Sequence, residues 1–384
     1  MEYKEYELGE LLYYEQPTPY IVESTDYNDA YETPVLTAGK SFILGYTDEK
    51  EGIYDQLPVI IFDDFTTASQ YVNFKFKVKS SAMKILTPVT ELVLPKYIYY
   101  RMQIINFDHS THKRYWIQQY SKIRVSVPPL PEQERIVARI EELFSQLDAG
   151  VETLKKTKAQ LAVYRQAVLK EAFNSAEVDC KMLPIAEILA KTRKGMSTGP
   201  FGTMIKKSDH KATGVPMLGI ENIGRGQFVD GNKIYVTAEK AEELKAFSLR
   251  AGDIIISRSG TVGEICAVPE RAEGSLLSTN LMRVSLDNTM IRSDYFIALF
   301  QSKGIVLDQI KELCKGSTRD FLNQTILKQI VFPVPSMEKQ EEIVSIIEAQ
   351  MSVCDSIEQT VDIALQQAEA MRQSILKDAF EGRL

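Results

Sequence analysis

The basic residues Arg193, Lys194, Lys206, Lys207, Arg225, Arg258 and Arg319 mostly stand near glycine, serine, threonine or asparagine, with Asn222, Ser259, Thr261 and Asn280 among their neighbours. Arginine and lysine in such loops can reach phosphates and guanine edges, and amide or hydroxyl side chains can reach either. Arg258 follows the apolar run Ile254-Ile255-Ile256-Ser257 and precedes Ser259-Gly260-Thr261, which predicts a side chain leaving the end of a strand. Gly260 and Gly263 are turn formers in this reading. Arg319 follows Gly316-Ser317-Thr318 ahead of a returning helix. In the first third of the chain the corresponding candidates are Lys40, Lys79, Lys113 and Arg114, the last two adjoining Tyr115 and Trp116. The bland alternative for each is a solvated charge, and for Trp116 a place in a core. Asp63 and Asp64 could accept from cytosine amines, although closing a turn after a strand is the commoner use of paired aspartates.

Chemistry beyond contact is harder to find. There is no Asn/Asp-Pro-Pro-Tyr/Phe stretch to hold a flipped adenine and no Gly-x-x-x-x-Gly-Lys-Ser/Thr loop for phosphates. His109 and His112 lie three apart without a cysteine or carboxylate cluster, so no metal is expected. His210, among Lys206, Lys207 and Lys211, reads as part of a solvated basic loop. Cys180, Cys266, Cys314 and Cys354 are scattered with no Cys-x-x-Cys spacing, which fits free thiols in a reducing compartment. No apolar run reaches 18 residues and no secretory signal opens the chain. The expected location is the cytoplasm, with no membrane partner.

These side chains must be positioned by 384 residues that are 44% hydrophobic and 25% charged, the composition of an ordinary globular chain of two to three domains. The formal charge of −7 argues against nucleic acid until its distribution is examined. Residues 1–122 hold 12 basic and 17 acidic side chains and residues 331–384 hold 4 and 10, whereas residues 175–330 hold 21 and 18. A local basic surface on an acidic chain is compatible with DNA.

The frame is an internal repeat. Residues 123–173 align without a gap to residues 330–380 at an offset of 207, with about a third of positions identical. Arg165-Gln166-Ala167-Val168-Leu169-Lys170-Glu171-Ala172-Phe173 meets Arg372-Gln373-Ser374-Ile375-Leu376-Lys377-Asp378-Ala379-Phe380. In the first copy Ile140, Leu147, Leu154, Leu161 and Val168 recur every seven residues; in the second, Ile347, Cys354, Val361, Ala368 and Ile375. A second row interleaves with each: Ile136, Leu143, Gly150, Thr157 and Tyr164, then Ile343, Gln350, Ile357, Ala364 and Met371. This is a coiled-coil seam. It predicts two helices of about 43 residues, roughly 65 Å each, starting after Pro131 and Pro335 and packed on one another. Between them lie two segments of mixed strand and helix patterning that share no comparable sequence similarity. Strands are expected at Leu57–Phe62, Tyr71–Val78, Gly252–Ser257 and Leu276–Leu286, and helices at Lys96–Ile105 and Ser293–Leu313.

Pro129-Leu130-Pro131-Glu132-Gln133-Glu134-Arg135-Ile136-Val137 and Lys339-Gln340-Glu341-Glu342-Ile343-Val344 resemble the motifs that open the helical regions of bacterial type I restriction–modification specificity subunits. Gly199-Pro200-Phe201-Gly202-Thr203, the run Gly252–Gly263 and Gly316–Asn323 resemble motifs of that family's target recognition domains. The first head departs: it carries Thr33–Lys40 and Ile60–Thr67 instead, similar to another subclass. The resemblance implies an α+β fold with two globular α/β target recognition domains separated by two long antiparallel helices that form an intramolecular coiled coil, pseudo-two-fold in arrangement. The segments would be 1–122, 123–174, 175–330 and 331–384. It further implies a non-catalytic chain on double-stranded DNA, each head reading half of an asymmetric site and the helices setting the spacer. Partners would be two methyltransferase subunits acting on adenine N6 and restriction/translocase subunits; S-adenosylmethionine, ATP and Mg would be theirs, with no cofactor on this chain. The competing reading is an adaptor whose coiled coil joins two protein-binding heads.

Overall fold

The computed structural model describes residues 3–39, 41–107, 114–174, 180–302, 304–314 and 321–384. It divides into two compact units, Met1–Lys155 with Asp362–Leu384, and Lys156–Val361.

In the first unit β1 (Lys4–Glu7) leads into α1 (Leu8–Leu11), β2 (Leu12–Glu15), β3 (Thr33–Leu36), β4 (Ile43–Thr47), β5 (Val59–Asp63), β6 (Ser69–Val72), β7 (Lys77–Val78), β8 (Met83–Pro88), α2 (Pro95–Met102), β9 (Arg124–Val127) and the long α3 (Leu130–Asn174). An antiparallel sheet runs in the order β2-β8-β5-β6, and a smaller one runs β4-β3-β7 with β7 parallel to β3. β1 pairs antiparallel with β9, closing the head where α3 begins. The central strand β5 is buried on both faces, so its apolar residues do not alternate with polar ones. Ile60 and Phe62 join Leu12, Leu86, Trp116 and the helix residues Ile140, Phe144, Leu376 and Ala379; Val59 and Ile61 pack with Leu36, Phe76 and Val78.

The second unit holds β10 (Lys181–Pro184), α4 (Ile185–Ile188), β11 (Met196–Thr198), β12 (Val215–Leu218), β13 (Ile223–Gly224), β14 (Gln227–Phe228), β15 (Ile234–Val236), α5 (Ala238–Glu243), β16 (Ile254–Ser257), β17 (Ile265–Ala267), β18 (Leu276–Leu277), β19 (Leu281–Val284), α6 (Ser293–Gln301), α7 (Val306–Cys314), α8 (Gln324–Gln329), β20 (Val331–Val334) and the start of α9 (Met337–Phe380). Its sheets run β11-β19-β16-β17 and β15-β12-β18, and β10 pairs with β20. Strand for strand this is the topology of the first unit. The heads that looked unrelated in sequence therefore share one architecture, and among the described residues the second adds the hairpin β13–β14 and helices α5, α7 and α8.

The two long helices measure 45 and 44 residues, with Pro131 tolerated in the first turn of α3 where its missing N–H is not needed. They run antiparallel within each unit: Arg372 pairs with Asp148 in the first, and Arg165 pairs with Asp355 at 2.6 Å in the second. Of the heptad row, Ile140, Leu161, Val168, Ile347, Cys354, Val361 and Ala368 are buried, while Leu147, Leu154 and Ile375 are half-buried. The second row is sealed only near the helix starts, at Ile136 and Ile343; Gly150, Tyr164, Gln350, Ile357 and Met371 are exposed. One partner helix covers one row, and the 3.6-residue turn drifts against a 3.5-residue repeat.

Local corrections have local causes. The helix expected over Ser293–Leu313 is two helices, since Gly304 takes a φ of +103° that breaks the backbone there. The run Tyr71–Val78 divides between two sheets, and Leu276–Leu286 becomes two short strands separated by Ser278–Asn280. No described helix is long and apolar enough to cross a membrane.

Candidate nucleic-acid interface

Each head is fastened to its long helix by a buried glutamine from the opening motif. Gln133 Nε2 donates to the carbonyls of Leu92 (3.0 Å) and Pro128 (2.8 Å), and its Oε1 accepts from Leu94 N at 2.8 Å. Gln340 repeats this with Met290 and Pro335 as acceptors and Arg292 N as donor. The amides fix the start of α2 on α3 and of α6 on α9, because each buried polar atom must find a partner.

In the second unit three sequence motifs converge at the end of β16. Arg258 N donates to Asn280 O (2.9 Å) and Leu322 N donates to Arg258 O (2.9 Å). The guanidinium donates to the carbonyls of Leu322 and Thr279, each at 3.1 Å, and lies 4.6 Å over the Phe321 ring. Burial pulls its pKa down, yet a guanidinium remains charged at neutral pH. Ser259 Oγ donates to Asn280 Oδ1 at 3.3 Å, and Thr279 Oγ1 donates to Pro200 O at 2.7 Å. Asn280 and Thr261 are exposed and Ser259 is half-buried. Beside them the aromatic rings of Phe201 (68% exposed) and Phe321 (43%) face solvent, and Lys206 and Lys207 are exposed further along the Phe201 loop. A fixed arginine, an amide, hydroxyls, lysines and open aromatic faces are the groups that contact base edges, phosphates and unstacked bases.

Other candidates are placed differently. Asn222 is fully buried; its Oδ1 accepts from Gly219 N and its Nδ2 donates to the carbonyls of Val229 and Gly231. It is a structural residue of the turn before β13 and cannot touch a base. Arg193 is ion-paired with Asp253 at 3.1 Å and bonded to Ser248 O, bracing the loop before β16. Arg225 forms an ion pair with Glu358 on α9 at 2.8 Å. Lys194 exposes its side chain while its carbonyl accepts from Arg283. Arg283, a buried guanidinium on β19, also donates to Ser248 O; its one mark in the sequence is that it is an isolated arginine within an apolar strand. Phe201 and Phe321 belong to motifs whose sequence does not mark them as contacts, although an aromatic between Pro200 and Gly202 in a loop has little to bury it.

The first head builds the same backbone frame around the opposite charge. Asp64 N donates to Ala82 O (3.0 Å) and Tyr115 N to Asp64 O (2.9 Å), as Arg258 does with Asn280 and Leu322. The Asp64 carboxylate accepts from Trp116 N at 2.8 Å and pairs with buried Lys84 at 3.2 Å. Asp63 caps the following turn by accepting from Phe65 N and Thr66 N. Both aspartates thus serve the fold, and Trp116 is a core residue against Phe62 and Tyr120. Arg114 and Lys79 are exposed, the latter with its ammonium 5.7 Å from the Tyr27 ring. Lys40, Lys113 and Arg319, like His109 and His112, lie outside the described residues. Among the described residues no group of three or more His, Cys, Asp or Glu is placed to hold a metal, and the four cysteines are free thiols.

Comparison with known proteins places this geometry. The family described as type I restriction modification DNA specificity domain matches residues 1–162 and 199–367. The specificity subunit of the type I restriction enzyme EcoR124I/EcoR124II of Escherichia coli is 34% identical over 364 residues, 91% of this chain and 87% of that one. The EcoKI specificity subunit of Escherichia coli strain K12 is 26% identical over 69% of this chain and 58% of its own length. Among solved structures, a chain of a type I R-M system studied for complex assembly and conformational transition shares the fold at a TM-score of 0.70 and 16% identity, covering 100% of this chain and 98% of that one. The HsdS subunit from Thermoanaerobacter tengcongensis matches at a TM-score of 0.50 and 14% identity, covering 100% and 97%. With the family match spanning most of the sequence and both heads built on one topology, the chain belongs to the type I restriction–modification DNA specificity family.

Proposed function

We propose that this chain is the DNA-recognition subunit of a type I restriction–modification complex and supplies recognition without catalysis. Each head, residues 1–122 and 175–330, reads one half of a bipartite asymmetric site. The helical segments 123–174 and 331–384 set the unread spacer and help hold two methyltransferase subunits, which carry S-adenosylmethionine; restriction/translocase subunits bring ATP and Mg. The complex works in the cytoplasm. The observation that carries this reading is that the second head gathers Arg258, Ser259, Thr261 and Asn280 at the end of β16 beside the exposed rings of Phe201 and Phe321, a set suited to base edges and phosphates. An adaptor joining two protein partners would not need the basic, aromatic-flanked loops of the second head.

The test is methylation sequencing of the host with and without this gene, then with residues 175–330 replaced by another recognition domain. Loss of one bipartite adenine-methylation motif, and a change confined to one half of it after the exchange, are the expected results. An unchanged methylome in a host that expresses the partner subunits would sink the reading. DNA affinity of the assembled complex should also fall linearly in log–log form with salt.

A further inference from the structure

The hairpin β13–β14 is the clearest difference between the heads, and its position has a counterpart in the first unit. It turns through Arg225 and Gly226, whose φ values are 48° and 80°, a two-residue turn that needs two left-handed residues. Packing holds it there: Gln301 Nε2 donates to Arg225 O at 2.8 Å, and a Cβ on Gly226 would lie 1.9 Å from that nitrogen. The hairpin lies along the edge strand β17, and the Arg225 guanidinium reaches Glu358 on α9 with bonds of 2.8 and 3.3 Å. Arg165 joins the same carboxylate at 3.0 Å while pairing with Asp355.

The first unit has the matching edge strand β6, the matching helix α2 and the matching ion pair, Arg372 with Asp148. Among the described residues it has no hairpin between β3 and β4. In the matching place is an open cavity of about 720 Å³, walled by Gln70 of β6, Tyr99 and Tyr100 of α2, Glu141 and Ser145 of α3, and Glu369 of α9. Asp148 and Arg372 also line it and pair with one another, while Lys96 of α2 pairs with Glu141. The Glu369 carboxylate is left to attract an added cation rather than a DNA phosphate. The two tyrosine rings, centroids 5.4 Å apart, add faces on which a guanidinium can rest.

We propose that this groove receives a loop of a partner protein that presents an arginine, filling in trans the place that the Arg225 hairpin fills in cis in the second unit, with Glu369 as its acceptor where Val151 stands in place of Glu358. The partner is the methyltransferase subunit, so the inference rests on the function proposed above. It makes the two heads unequal toward identical partners: one groove is filled by the chain itself and the other is completed on assembly.

The experiment uses the full chain and the purified methyltransferase subunit of its own system. Ser145→Trp fills the groove and Glu369→Arg reverses its charge; both positions are exposed, and thermal melts matching wild type establish that each variant folds. Binding of one methyltransferase subunit should weaken about tenfold or more in each, a loss of about 1.4 kcal/mol. A benzophenone amino acid at Ser145 should cross-link the methyltransferase subunit at a peptide containing arginine. Wild-type binding by both variants with no cross-link overturns the groove while leaving the proposed function standing. Failure of the unaltered chain to bind the methyltransferase subunit overturns both.

Discussion

Asp64 stands in the first head where Arg258 stands in the second, each holding the same two backbone hydrogen bonds at the end of a central strand. The backbone frame is shared but the side chains differ in setting: Asp64 is sealed against Lys84, whereas Arg258 is half-buried over the Phe321 ring. Arg258→Ala removes two bonds to carbonyls and the stacked guanidinium. The assembled complex should lose about 1–3 kcal/mol of specific DNA affinity, with relaxed preference at one half-site only. Arg258→Lys should keep the salt dependence but not the preference, because an ammonium lacks the planar fork. Anisotropy titrations over a salt series with both half-sites varied would check this; relaxation at both half-sites would contradict it.

Lys84 and Asp64 are both sealed from water. Lys84→Met should destabilise the first unit by about 3–5 kcal/mol, since it strands a buried carboxylate. Adding Asp64→Asn should recover part of that loss, because a neutral amide can still accept from Trp116 N. Urea unfolding of the three proteins measures both steps, and a double variant less stable than Lys84→Met would refute the account.

Gln133→Leu and Gln340→Leu each leave a backbone N–H and two carbonyls without their partner. Each unsatisfied group costs about 1–3 kcal/mol when no water can replace the bond. Hydrogen exchange should accelerate around Leu94 for the first variant and around Arg292 for the second, with the other unit unchanged.

The Glu358 carboxyl is held below its ordinary range, first by the hydrogen bond from Arg225, with charge attraction from Arg225, Arg165 and Lys158 adding to it. A carboxyl whose folded pKa is depressed contributes stability that is complete above its unfolded pKa and fades as pH falls through the folded one. Exchange protection of the β13–β14 amides should therefore be flat near neutrality and decline on acidification below the usual carboxylate range. Glu358→Gln should remove that decline; an identical acid profile in the variant would assign it elsewhere.

The helices were legible because a seven-residue row such as Ile140 to Val168 is written in side-chain type, and the repeat duplicated it. The common topology of the heads was hidden. It resides in hydrogen-bond registers of strands two to six residues long, and Asp64 and Arg258 share a register without sharing chemistry. Asn222 misled because an asparagine that closes a buried turn and one that reads adenine have the same neighbours in sequence. Arg225 was ambiguous for a related reason: its ion-pair partner, Glu358, lies 133 residues away. The Arg258 cluster was partly foreseen, since a glycine-rich loop after an apolar run marks a strand end, but nothing in the spacing placed Pro200 beside Thr279.

The lone tryptophan also makes the molecule optically one-sided. Trp116 is enclosed by Phe62 and Tyr120, with its backbone amide bound to the Asp64 carboxylate. Indole emission from the whole chain therefore reports the interior of the first head alone, and the second can loosen or melt without changing its colour. Excited selectively, the native protein is already labelled at a single site, so a blue-shifted spectrum certifies only half of it, and a tryptophan introduced into the other half would give that half its own signal.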